Sequence, residues 1–90
     1  MIPGGAAFRV EGAGCGVVNG YYRKAHGEHE YCKVDDERTH IKKYTNDQWS
    51  LESDGSKYKK FDVSVTPPRA GWEVAHGVAP PPRLLYPDAW

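Results

Sequence analysis

The sequence predicts an all-β fold: a single small antiparallel sheet of five or six strands, meander-like, twisted or partly closed. Three observations point there. Turn signals recur about every ten residues along the chain, the rhythm of a meander or small barrel. Between them, apolar residues alternate with polar ones, and no stretch keeps a helical period with caps. The apolar content rests on three Trp, six Tyr and two Phe, with one Met and few Leu or Ile. Rings and β-branched residues fit a pleated, half-buried surface.

Taken in order, residues 1–7 read as a flexible lead-in and Phe8-Arg9-Val10-Glu11 as a short strand. Gly12 to Gly16 is a loop of small residues whose glycines permit positive φ or close backbone approach. Asn19-Gly20 carries a hairpin signal. Tyr21–Ala25 and Glu30–Val34 pair across a turn at His26–His29. Asp35–Arg38 is a polar turn, Thr39–Tyr44 a third strand and Thr45–Asp47 another turn. Gln48–Glu52 places Trp49 and Leu51 on one face. Asp54-Gly55 is the second hairpin signal, followed by strand-like Lys57–Phe61 and Val63–Val65. Pro67-Pro68 stops that run. Gly71–Val74 is a short strand or anchored loop, and residues 79–82 are an extended polyproline run. Leu84–Tyr86 adds an edge strand, and residues 87–90 form a tail. The domain is thus residues 8–86. Its expected core is Tyr22, Tyr31, Ile41, Trp49, Leu51, Tyr58 and Trp72, with Pro67 to Pro82 wrapped over one face.

Ninety residues make one domain with a thin core. Twelve basic residues balance twelve acidic ones, which removes a global electrostatic drive toward nucleic acid or an anionic membrane. No apolar run approaches membrane-spanning length. The start of the chain lacks the basic and apolar regions of a signal peptide. Two cysteines are fewer than a disulfide-dependent secreted domain uses. The expectation is an intracellular, cytoplasmic protein with its thiols reduced; a single Cys15–Cys32 bridge is the other option.

Chemistry-bearing combinations are sparse. Cys15, His26, His29 and Cys32 give C-x10-H-x2-H-x2-C, a spacing that suits no common zinc module. Cys15 in its glycine loop is placed like an exposed nucleophile, but nothing fixes His40 or His76 beside it. Gly12–Gly16 resembles a phosphate cradle without the helix and Lys that such cradles use. Lys42-Lys43-Tyr44 and Lys57-Tyr58-Lys59-Lys60 interleave rings with bases, as single-strand nucleic-acid binders do. Trp49 or Trp72 would serve as a glycan platform, though large rings more often anchor small cores. Pro80-Pro81-Pro82 is either a ligand for a proline-reading domain or a cover over the sheet.

Val10-Glu11-Gly12-Ala13-Gly14, Val18-Asn19-Gly20-Tyr21-Tyr22, Tyr31, Trp49, Tyr58, Pro67-Pro68, Gly71-Trp72 and Ala79-Pro80-Pro81-Pro82 together resemble a small repeat module. Such units stand in large proteins of algae and other protists, often in tandem, with no characterised function. The resemblance spans about residues 8–85 and implies an interaction or scaffolding role. It assigns no site residues. The leading expectation is a non-catalytic module that binds protein and needs no cofactor. Its candidate binding residues are Tyr44, Tyr58 and Trp72. The alternatives are a zinc- or thiol-dependent enzyme using Cys15, Cys32 and histidines, and a binder of glycans or single-stranded nucleic acid through exposed rings.

Overall fold

Eight strands form one antiparallel sheet, curled into a half-barrel, in a computed structural model that describes residues 3–90. They are β1 (Ala6–Glu11), β2 (Gly20–Lys24), β3 (Glu30–Lys33), β4 (Asp36–Lys43), β5 (Gln48–Ser53), β6 (Ser56–Phe61), β7 (Glu73–Val74) and β8 (Arg83–Leu85). The order is β7-β6-β5-β4-β3-β2-β1-β8. The meander is therefore intact through β1–β7, and the last strand returns to the free side of β1. Register shifts in β1, β3 and β5 mark irregular pairing of the bulge type, which bends and twists a strand and helps the sheet to curl.

The strand count corrects the expected five or six. The two shortest strands, of two and three residues, fall within the expected Gly71–Val74 segment and, one residue earlier than expected, on the Leu84–Tyr86 edge, and they bring the total to eight. They cover the backbone of β6 and β1, which would otherwise be bare edges.

Asp54-Gly55 forms the β5–β6 turn with positive φ at both residues, 55° and 99°. Asn19-Gly20 makes no two-residue hairpin. The β1–β2 connection is longer and contains a 3-10 turn at Gly16–Val18. The Asn19 side chain clamps it, accepting from the Ala13 amide at 3.0 Å and donating to the Ala13 carbonyl at 3.1 Å. Val63–Val65 is not a strand; its backbone groups are taken by side chains, as described below. The run at 79–82 is bent at Ala79 and Pro80, not uniformly extended, and the Ala79–Pro80 bond is cis. β1 starts at Ala6, inside the expected lead-in, whose first two residues lie outside the described ones. The tail forms a 3-10 turn at Pro87–Ala89, and the Trp90 indole donates to the Leu85 carbonyl at 3.0 Å.

All seven expected core residues are buried. Phe8, Val10, Val18 and Leu84 join them fully or nearly so. Phe8 is the hub, with ring centres of Tyr31, Tyr86 and Tyr22 at 5.0, 5.4 and 5.5 Å. β7 and β8 lie at opposite ends of the strand order, so the chain from 75 to 82 must cross the open side of the half-barrel. There the Gly14 amide donates to the Pro80 carbonyl at 2.9 Å. A Cβ on Gly14 would run into the carbonyl oxygens of Ala79 and Val78. Pro67 and Pro82 are buried, and the Trp72 indole donates to the Pro68 carbonyl at 2.8 Å. Among the described residues, no helix is long and apolar enough to cross a membrane.

Candidate functional site

With Ile41, Trp49, Leu51 and Tyr58 turned inward, strand periodicity turns their neighbours outward. On that outer face Lys42 lies opposite Ser50, and Ser50 opposite Lys59. His40 lies opposite Glu52, and the irregular register between Leu51 and Glu52 brings Ser56 opposite Glu52. At the end of the face the Tyr44 amide donates to the Gln48 carbonyl at 2.8 Å, and Gln48 lies opposite Phe61.

The Tyr44 side chain reaches across this surface, and its hydroxyl donates to Glu52 Oε2 at 2.6 Å. The other Glu52 oxygen meets His40 Nε2 at 3.0 Å. Ser50 is 1% exposed and shares a 2.8 Å hydrogen bond with Ser56. Burial alone would raise the Glu52 carboxyl pKa. Hydrogen bonds from Tyr44 and Ser50, with the hydrogen bond and charge of His40, outweigh it and hold the group below its ordinary value. The hydrogen bond to Glu52, helped by partial burial and the nearby carboxylates, pushes the Tyr44 phenol up to about 12. A carboxylate and a phenol moved apart in this way hold fixed charge states near neutrality. They suit hydrogen bonding better than proton transfer.

A second feature adjoins it. Phe61, Val63 and Val65 are 51%, 78% and 71% exposed. Their segment is pinned from behind. Lys43, whose side chain is 10% exposed, donates from Nζ to the carbonyls of Val63 at 3.2 Å and Ser64 at 2.9 Å, with Asp47 at 3.5 Å. The Asp62 carboxylate accepts the Ser64 amide at 2.8 Å, and the Ser64 hydroxyl donates to Thr66 at 2.7 Å. The Ser64 backbone and side-chain hydrogen bonds hold Asp62 below the usual carboxylate range. The Asp-x-Ser spacing is an Asx-turn signal that sequence reading passed over in favour of a strand.

Of the expected binding residues, Tyr44 presents a partly exposed ring, whereas Tyr58 and Trp72 are 0% and 3% exposed and face the core. Their burial removes the face that a stacking platform needs. The glycine loop packs against the chain's own Val78–Pro80 segment, and the Gly14 amide is spent on the Pro80 carbonyl. Cys15 packs against the core, and Cys32 lies on the outer face opposite His40. Both thiols are free. Among the described residues, no three His, Cys, Asp or Glu side chains gather as a metal set. His40, Glu52, Phe61 and the two valines were absent from the sequence-based site. Comparison with protein-family models, with curated proteins and with solved structures gives no match for this chain.

Proposed function

We propose that this chain is a non-catalytic binding module whose partner is a protein, docked on Phe61, Val63 and Val65. The carrying observation is the pinned segment. Three apolar side chains stand exposed within five residues, and half-buried Lys43 holds the backbone that displays them. Exposed apolar clusters of this kind mark interaction surfaces. A loop already fixed in shape loses little conformational entropy on docking. The module that the sequence resembles implies the same role. Two free thiols fit a cytoplasmic setting, which is part of the proposal.

The test is a quantitative pull-down from cytosolic extract with the wild-type chain and a Val63→Asp/Val65→Asp variant. The expected result is a protein retained by the wild type and lost from a variant of unchanged melting temperature. Retention of the same proteins by both would overturn the assignment.

A further inference from the structure

We infer that the outer-face depression under Tyr44 is a saccharide-binding subsite, in which a neutral sugar ring stacks on the exposed face of the tyrosine. It is independent of the valine strip and would stand if that strip bound nothing.

The platform is built before any ligand arrives. The Tyr44 hydroxyl is committed to Glu52 at 2.6 Å, so the ring is tethered at both ends and its exposed part is held in place. The residue is 40% exposed. It lines a shallow, open depression with Asn46, Gln48, Ser50, Glu52 and Ser56. Its rim carries the groups that sugar hydroxyls need. Amide side chains both donate and accept, and a serine hydroxyl does the same. Glu52 accepts from Tyr44 and engages His40, yet a carboxylate has about four lone-pair positions. Asn46 is fixed at the rim because its Oδ1 accepts the Gln48 amide at 3.3 Å.

Charge narrows the ligand class. Lys42 Nζ already lies 5.5 Å from the centre of the Tyr44 ring, and Lys59 lies across Ser50, so a cationic ligand meets like charge. Glu52 beside the phenol and Glu30, whose field also raises its pKa, oppose a phosphate or a nucleic-acid backbone. A neutral ligand with one apolar face and a hydroxyl-bearing edge remains, and that is the surface of a pyranose.

The test uses the full chain, labelled with 15N, titrated with maltose, cellobiose, lactose and mannobiose. The expected result is saturable shifts of the Asn46 and Gln48 side-chain amides by at least one disaccharide, with Kd on the order of 1 mM. Tyr44→Ala should abolish them. Tyr44→Leu keeps the bulk without the flat ring and should do the same, and it serves if the alanine variant fails to fold. Val63→Asp/Val65→Asp should leave them intact. Failure of all four sugars to shift these amides, or full binding by Tyr44→Leu, would overturn the subsite. So would loss of a protein partner in Tyr44→Leu without any sugar response, since Tyr44 would then belong to the docking surface.

Discussion

The Tyr58 hydroxyl donates to the carbonyl of Val78 at 2.6 Å. The same oxygen accepts the Cys15 amide at 2.9 Å. One phenol thus joins the glycine-rich loop after β1 to the segment that crosses the open side of the half-barrel. The Gly14–Pro80 hydrogen bond doubles the tie. Two stretches far apart in sequence are closed against each other through the strand β6.

Tyr58→Phe keeps the ring and removes the junction. The Cys15 amide and Val78 carbonyl lose a partner where water has limited access, at a cost of about 1–3 kcal/mol. For a domain of this size each kcal/mol moves the melting temperature by roughly 4–8 °C. Thermal unfolding followed by circular dichroism should show a clear drop, and a shift within error would mean that the closure does not depend on this hydroxyl.

Gly14→Ala attacks the same closure from the backbone. Its Cβ meets carbonyl oxygens of Ala79 and Val78, which cannot turn aside as a flexible side chain would. Gly16, two residues on, has nothing within 4 Å of a built Cβ. Overpacking of the first kind costs about 1–3 kcal/mol. Gly14→Ala should therefore lower the denaturation midpoint while Gly16→Ala leaves it nearly unmoved. Equal effects would remove the close-approach explanation.

Trp72→Ala empties a site that is 3% exposed and deletes the hydrogen bond to Pro68. A buried Trp truncated to Ala costs about 3–5 kcal/mol, against total stabilities of about 5–15 kcal/mol for natural domains. Urea unfolding should show the variant unfolded or barely folded. An unchanged midpoint would return Trp72 to the list of ligand platforms.

The core was legible because six of its seven expected members sit on strands where period-2 alternation turns them inward, while Trp72 is buried from the loop before β7. Asp54-Gly55 was legible because that pair supplies positive φ at both turn positions. Asn19-Gly20 misled because the asparagine side chain spends its amide on Ala13, a contact six residues away that no dipeptide rule contains. Trp72 and Tyr58 looked like candidate platforms because a ring in sequence carries no sign of which face it takes. The outer-face cluster depends on cross-strand register, which aligns His40 with Glu52 and lets Tyr44 reach across. Local sequence encodes neither. The valine segment had a local cue in Asp62-Val63-Ser64, but Lys43, which completes the pin, comes from a different strand.

The Tyr44–Glu52 pair sets a pH dependence at both ends of the scale. Glu52 has a lowered carboxyl pKa in the fold, as do Asp36, through its Thr39 hydrogen bond first, and Asp62. The folded state therefore binds fewer protons than the unfolded chain in acid, and stability rises with pH there. Their contribution is full above the ordinary carboxylate values of about 4 and is lost as pH falls through the lowered ones. At the alkaline end the sign reverses. Tyr44 in the fold keeps its proton up to about 12, against an ordinary value of about 10. That contribution is full below the ordinary value and is lost as pH rises through the raised one. Tyr86 is also pushed up to about 12, but mainly by burial, and it serves as an internal reference. Phenolate absorbance after a rapid jump to alkaline pH should show late-titrating tyrosines in the wild type. Glu52→Gln should return Tyr44 toward the ordinary value while Tyr86 stays late. Tyr44→Phe should delete the same late signal, and adding Glu52→Gln to it should change nothing further. An identical titration curve for wild type and Glu52→Gln would show that the carboxylate does not hold the phenol.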